Sequence, residues 1–483
     1  MRNKFKIFIL AITVIFSLNS CIEEVLDVEI PSSITDGNFP KQEGDLQAIL
    51  TALYSNLRSE LNRTTYGEDR GDALDVGLIG SVSDAWAQNL NGGNGPNWRD
   101  NYNLINNLNL IITASENIEF KNDRSKGRIL GQAYFLRAFT YFRMVKIWGG
   151  VPLILQSVNQ NTPVVGRSSA TEIMTQVFSD INLSINSFTD DKFDSKYTVS
   201  KPAAYALMAD ARMWSGKVLG GGDTDFQAAI DAVNSISGVS LLDKFANVFD
   251  TSVNNEIIFA LFFDFNEQSG MYASRLSVRD INLDPTLNPD VPTSTSNNAR
   301  SDYRPSDIII NLYEITDVRA ARSYIPVLTA DGNDVGTEPD ILSYAQNKFK
   351  GSDFNADTFY DNDIIVYRWA DMLLLRAEAN AALNRIPLSI LDLNTVRKRA
   401  GLGLYVGALD KSTVELEILD ERGRELFLEL KRYWDLVRFN AGGTINIYDQ
   451  VPNLQGLSIP LLWPVNNNLI AENNLIEQTP GYD

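Results

Sequence analysis

Two stretches of this chain, residues 202–217 and 368–384, crowd alanine onto helical positions, and a second helical pattern follows each within a few residues. In the first, the alanines are Ala203, Ala204, Ala206, Ala209 and Ala211. The stretch closes at Trp214-Ser215-Gly216, and its partner covers about 225–237. In the second, they are Ala370, Ala377, Ala379, Ala381 and Ala382, with Pro387 marking the turn and Ser389 to Ala400 forming the partner. Side chains this small let helix axes approach closely. A pair built this way still leaves an apolar face in water until another pair stacks on it. The pattern predicts a mainly α fold, a scaffold of stacked helix pairs.

Other segments fit that scaffold. Leu46, Ile49, Leu50, Leu53, Tyr54, Leu57 and Leu61 recur at spacings of three and four, one face of an amphipathic helix. Gly131 to Trp148 is apolar around most of its circumference and ends at Gly149-Gly150-Val151-Pro152, so it reads as a helix buried between neighbours. Two regions break the period. Residues 62–97 are rich in Gly, Asn and Asp and close on Asn91-Gly92-Gly93-Asn94-Gly95-Pro96. That is turn chemistry, and long loops inside compact domains are often functional. Residues 241–365 mix apolar runs such as Glu256 to Phe263 with a polar stretch over 276–308, which predicts irregular loops and a few short β-hairpins. The expected organisation is a single domain over 41–483. It comprises an N-terminal helical part (41–240, with the loop 62–97), a loop-rich insertion (241–365) and a C-terminal helical part (366–483).

The first forty residues read differently. A basic start, Met1-Arg2-Asn3-Lys4-Phe5-Lys6, precedes an apolar run from Ile7 to Leu18, too short to span a bilayer and flanked like a secretory signal. Leu18-Asn19-Ser20-Cys21 has the form of a lipobox, so residues 1–20 are expected to be removed and Cys21 lipidated. Residues 21–40 then form a tether to the membrane. Cys21 is the single cysteine and the chain has no histidine. Intramolecular disulfides, thiolate zinc sites, Ser-His-Asp and Cys-His catalysis and histidine metal clusters are thereby excluded. A net charge of −19 argues against nucleic-acid binding. No cofactor is expected. The carboxylate-rich Asp361-Asn362-Asp363 would permit a Ca²⁺ ion without specifying one.

Several separated motifs resemble one family, in the family's own order. Gly131-Gln132-Ala133-Tyr134-Phe135-Leu136-Arg137-Ala138, running on to Trp148-Gly149-Gly150-Val151-Pro152-Leu153, is similar to the most recognisable segment of the SusD/RagB outer-membrane nutrient-binding lipoproteins of Bacteroidetes. Tyr367 to Ala379 resembles that family's "RYAEVLLLYAEA" helix, and Leu393 to Leu402 the helix after it. Glu421 to Phe427 with Arg432 to Arg438 is similar to its "ERRRELAFE…RWFDLIR" block. Trp463-Pro464-Val465 and Gln478 to Tyr482 resemble its "PIP…QNPGY" tail. The resemblance implies four tetratricopeptide-like helix pairs beneath long binding loops. It also implies a non-catalytic role: capture of oligosaccharide or polysaccharide at the cell surface and delivery to a SusC-type TonB-dependent transporter. Some members handle peptides instead, which is the alternative. Glu23 and Glu24, just after Cys21, resemble the signal that displays such lipoproteins on the outer face of the outer membrane.

Within that frame Trp86 is the first candidate for ligand contact. An indole offers an apolar platform to a sugar's C–H face, and the amides of Asn89, Asn91 and Asn94 can both donate to and accept from hydroxyls. Tyr66, Arg70 and Asp72 share the loop; Tyr272 and Arg275, with Tyr303 and Arg304, mark a second aromatic-plus-arginine region. The other reading of Trp86 is an anchor that packs the loop to the core. Trp98, Trp148, Trp214, Trp369, Trp434 and Trp463 are expected to pack. Glycosidase chemistry would need two carboxylates at fixed separation across a sugar. No motif supplies that pair, and the Glu421-Arg422-Arg424-Glu425 cluster reads as salt bridges between helices.

Overall fold

The computed structural model describes residues 39–482 apart from 160, 252, 265–269, 274, 296–298, 331–338 and 355–356. The expectations for the leader, for lipidation of Cys21 and for most of the tether lie outside the described residues. The long helices are α1 (Glu43–Leu61), α2 (Arg99–Ala114), α3 (Asp123–Trp148), α4 (Ala170–Ser187), α5 (Lys201–Val218) and α6 (Gly222–Asn234). After the insertion come α7 (Trp369–Ala382), α8 (Ile386–Arg399), α9 (Lys411–Leu426) and α10 (Arg432–Ala441). Their starts carry the chemistry that helix starts need. The Asn122 side chain accepts from Ser125 N–H at α3, Ser169 from Glu172 N–H at α4, and Ser200 from Ala203 N–H at α5. Gly149, with φ of 73°, ends α3 where a side chain would be strained.

Helices neighbouring in sequence pack as pairs: α3 on α4, α5 on α6 and α7 on α8, with α1 on α2 and α9 on α10. Gly216 shows why small residues are needed there. A Cβ on it would lie 2.5 Å from the ring of Phe226 in α6. Then α7 packs directly on α6 and α5, so the C-terminal pairs continue the N-terminal stack across the intervening insertion. One continuous core, from Leu46 to Ile476, runs through the stack, with Trp98, Trp148, Trp214, Trp434 and Trp463 all buried in it. Pro387 is not in the turn, as the sequence suggested. It sits in the first helical turn of α8, where its missing N–H has no intrahelical partner to lose. The turn is made instead by Leu383, Asn384 (φ 57°) and Arg385.

The strands form small two-stranded sheets. β1 (Leu74–Val76) pairs with β5 (Tyr303–Pro305), and β2 (Ile257–Leu261) with β10 (Ile364–Arg368), both antiparallel; β3 (Val278–Arg279) and β4 (Thr293–Ser294) are parallel; β6 (Tyr324–Thr329) with β7 (Asp340–Gln346), and β8 (Ser352–Phe354) with β9 (Asp357–Phe359), are antiparallel. The last two pairs join consecutive strands, as hairpins do. The first two are long-range clamps. β2–β10 pinches the insertion shut at its base, and β1–β5 sews the insertion to the loop between α1 and α2. A second apolar cluster, containing Leu74, Tyr272, Tyr303, Phe349 and Tyr360, lies under that seam. Among the described residues no helix is long and apolar enough to cross a membrane.

Candidate ligand-binding face

The loop between α1 and α2 is long but not loose. Arg70, fully buried, donates from Nη1 to the Leu461 carbonyl at 2.8 Å and from Nη2 to the Pro460 carbonyl at 2.8 Å, and its Nε donates to Gln88. Its guanidinium lies against the Tyr433 and Trp463 rings. Asp72, also buried, takes both Nε and Nη2 of Arg432 at 2.7 and 2.8 Å. The structure therefore corrects the sequence reading of both residues. They are buried with their polar atoms engaged, and they fasten the loop to the C-terminal tail and to α10 rather than facing a ligand. Tyr272 is corrected in the same way. It is buried, stacked on Phe349 with ring centroids 3.9 Å apart, and its hydroxyl points to the Leu428 carbonyl. Tyr66 is half-buried and lines a cavity among the helices, edge-on to Trp463 at 5.3 Å.

Trp86 anchors the loop while leaving part of its side chain exposed. Its ring is half-buried on the second core cluster, and its indole N–H donates to the Leu74 carbonyl at 2.9 Å. The register explains that bond. Ser306 N–H donates to Ala73 and Gly77 N–H to Asp302, so Leu74, opposite Pro305, falls at a non-hydrogen-bonded position of the β1–β5 ladder. Its carbonyl has no strand partner, and Trp86 supplies one. Pro305 is tolerated there for the same reason.

The two candidate regions meet at this point. Ser83 binds the Trp86 N–H through its hydroxyl, and Tyr303 accepts from the Ser83 N–H at 2.9 Å. Arg275, partly exposed, donates to the Tyr303 hydroxyl at 3.1 Å and lies over its ring. Trp86 and Arg275 are thus joined by a short relay through Ser83 and buried Tyr303. Arg304 is held by Asp75 and Asp307. Asn89, Asn91 and Asn94 are exposed but form a turn of their own: Asn91 Oδ1 accepts from Gly93 N–H, Asn94 Oδ1 from Asn91 N–H, and Asn94 Nδ2 donates to the Asn89 carbonyl. The same turn contacts the tail through Gly92, whose carbonyl accepts from Asn467 N–H.

Beneath the face lie carboxylates that sequence reasoning passed over. Burial pushes Glu68 up to about 8, with the Leu430 N–H only partly offsetting it, and its Oε2 has no hydrogen-bond partner. Asp69 is raised by burial against hydrogen bonds from Thr64, Ser83 and Tyr303. Tyr303 is pushed up to about 12 by burial and by Asp69. Val76 and Ile79 stand exposed on the rim, as do the partly exposed guanidinium groups of Arg275 and Arg300.

A polar cavity of about 380 Å³ opens elsewhere in the insertion, lined by Asp250, Phe262, Arg322, Lys350, Asp361 and Asp363 among others. Phe262 emerges from the wholly buried strand β2 with its ring exposed. The signal for it was present in the apolar run that ends at Phe263. The Asp361-Asn362-Asp363 stretch is occupied by protein donors here. Asp361 accepts from Ser352, Asn362 from Gly351 N–H, and Asp363 from Phe263 N–H and the Tyr197 hydroxyl. Among the described residues no group of three or more acidic, cysteine or histidine side chains is placed to hold a metal ion.

This scaffold and its loop face have known counterparts. The model described as the SusD family matches residues 234–482, and one described as starch-binding associating with outer membrane matches residues 26–212. The chain belongs to the SusD family. A SusD-like protein, P38, from Formosa agariphila is 29% identical over 99% of this chain and 100% of its own length. Over 20% of this chain, the starch-binding protein SusD of Bacteroides thetaiotaomicron is 34% identical. Among solved structures, NanU of B. fragilis superposes with a TM-score of 0.82 at 28% identity over 94% of this chain and 99% of its own. A SusD superfamily protein from Bacteroides fragilis gives 0.81 at 27% over 92% and 100%.

Proposed function

We propose that this protein is a non-catalytic glycan-binding lipoprotein of the outer membrane. It captures oligosaccharide or polysaccharide at the cell exterior and passes it to a SusC-type TonB-dependent transporter. The lipid on Cys21 is its anchor. The observation that carries the reading is the meeting of two separated loop regions at one point, where an aromatic platform, Trp86, and a cation, Arg275, are linked through Ser83 and Tyr303. A half-buried indole linked to a partly exposed guanidinium is chemistry that can stack on and hydrogen-bond a sugar. The kinship with a starch-binding protein points to the same ligand class. Every buried glutamate but Glu68 is held in salt bridges, and this supports binding without turnover.

The test is isothermal titration of residues 22–483 against a panel of polysaccharides and peptides, with Trp86→Ala and Phe262→Ala beside the parent. A glycan that binds the parent and is lost in Trp86→Ala supports the reading and its site. Loss only in Phe262→Ala moves the site to the polar cavity of the insertion. Binding of peptides alone overturns the glycan reading.

A further inference from the structure

Two cavities meet at Glu60 and Arg143, under the start of the loop between α1 and α2, whose Tyr66 and Gly67 line the first. One, of about 70 Å³, is walled by Phe139, Ile147, Ile365, Tyr367 and Trp434; the other, of about 140 Å³, is edged by Asn56, Ser59, Asn101 and Asn103. Arg143 projects from α3 between them. It is 7% exposed, and its Nη1 is buried without a hydrogen-bond partner. Among the described residues it has no ion-pair partner either.

The other charged groups around the two chambers are accounted for. Glu60 pairs with Arg63 at 3.4 Å, and Asp210 lies 3.9 Å from Lys146 and accepts from Tyr367. Glu429 is held by Lys348 and Arg368, and Lys431 by Asp371. Asp100 stands at the exposed rim. What remains is one desolvated guanidinium that feels the charge of Glu60 through space but makes no direct ion pair or hydrogen bond with it. A buried guanidinium whose N–H donors lack a direct acceptor is unfavourable, and a native structure that keeps one calls for a partner.

We propose that the junction of these cavities is a binding site for a small carboxylate, held by Arg143. A guanidinium presents a planar fork of N–H donors that matches a carboxylate's two oxygens. The aromatic chamber accepts a short apolar tail, and the amides of the other chamber can donate to the oxygens that remain. The volumes limit the ligand to a few heavy atoms, so this site is separate from the glycan face and does not depend on that reading. Its position between α1, α3 and β10 means that an occupant would tie the N-terminal pair to the strand closing the insertion.

The experiment follows the thermal unfolding midpoint of residues 22–483 at neutral pH and constant ionic strength while acetate is titrated. Acetamide, its neutral isostere, is run as the control. The expected result is a saturable rise in midpoint with acetate and none with acetamide. Arg143→Gln abolishes the rise, and Arg143→Lys, which keeps the charge but not the fork, weakens it. Should Arg143→Gln fold poorly, competition by unlabelled acetate for ¹³C-acetate observed by NMR in the parent and in Arg143→Lys keeps the test alive. Equal responses to acetate and acetamide, an acetate response that persists in Arg143→Gln, or a response to inorganic phosphate alone would overturn the proposal.

Discussion

The loop between α1 and α2 and the insertion between α6 and α7 share one face, yet they are fastened by opposite chemistry. The insertion is held by ionised groups. Arg368, at the end of β10, binds Glu256 at 2.8 Å, Glu425 at 2.5 Å and Glu429 at 2.7 Å. Arg319 binds Asp317, Glu421 and Glu425; Lys348 binds Glu429; and Arg399 joins Glu256 to Glu425. Burial alone would raise Glu425, but Arg399, Arg368 and Arg319 hold it well below the usual carboxylate range. The loop is held mainly by contacts to carbonyls, from Arg70 and Trp86, with the ion pairs Asp72–Arg432 and Asp75–Arg304 beside them. Its floor contains Glu68, which burial keeps protonated near neutrality. A charge network resists change cooperatively, whereas carbonyl anchors can be released one at a time. The loop is therefore the part of the face that can adapt to a ligand, and the insertion is the part that stays fixed.

The largest effect should come from Glu425→Gln. It leaves Arg319, Arg368 and Arg399 short of a counter-charge in a buried site, a change that costs roughly 3–5 kcal/mol. Chemical denaturation would show it as a lowered midpoint. A loss under about 1 kcal/mol would mean that Glu256, Glu421 and Glu429 absorb the change, and the contrast with the loop would be one of degree.

Arg70→Met comes next, at about 2–3 kcal/mol, because it strands buried carbonyls at Pro460 and Leu461. Hydrogen exchange should rise across 66–90 and 460–463 but not within the β2–β10 clamp. Exchange that rises in both would show the two regions to be one cooperative unit.

How much of this was legible in the sequence differs between the same two regions. The salt-bridge reading of Glu421-Arg422-Arg424-Glu425 holds. Arg422 binds Asp371 and Asp435, and Arg424 binds Glu421. Charged residues on an otherwise apolar helix announce their own pairing, although their partners in the insertion, Arg319 and Lys348, lie too far away in sequence to be read. The loop hid more. Arg70 and Asp72 there, like Tyr272 in the insertion, have the composition of a sugar site and the burial of a core, and residue type cannot separate the two. Nothing local told that β1 would pair with β5 more than two hundred residues on, or that Trp86 would serve that pairing.

Glu68→Gln separates the regions by pH. A carboxyl raised from its ordinary value to about 8 binds a proton in the folded state that the unfolded chain has released. Glu68 therefore favours folding fully below about pH 4.5, and that contribution drains away as pH rises toward 8. The slope reaches at most about 1.4 kcal/mol per pH unit. Asp371 and Glu378, lowered to about 2 by cationic neighbours despite burial, act oppositely and lose their contribution as pH falls from about 4 toward 2. Between pH 6 and 7 the parent should lose up to about 1.4 kcal/mol relative to Glu68→Gln. Parallel pH profiles would place a charged partner beside Glu68.

Trp86→Phe is the smallest change and the one that best resolves the loop. It keeps a six-membered ring on the second core cluster but removes the pyrrole portion with its N–H, leaving the Leu74 carbonyl without its donor. Loss of this one hydrogen bond should cost about 0.5–1.5 kcal/mol. Exchange should rise first at the β1–β5 seam. Glycan affinity then discriminates the two roles of this side chain. If the ring is a stacking platform, Trp86→Phe retains most of the affinity that Trp86→Ala loses, since a phenyl still offers a flat apolar face. If Trp86 serves only to hold the seam in register, the two variants lose affinity in proportion to their lost stability, and a second seam variant, Ser83→Ala, which removes the hydroxyl bound to the Trp86 N–H and to Asp69, would lose it too.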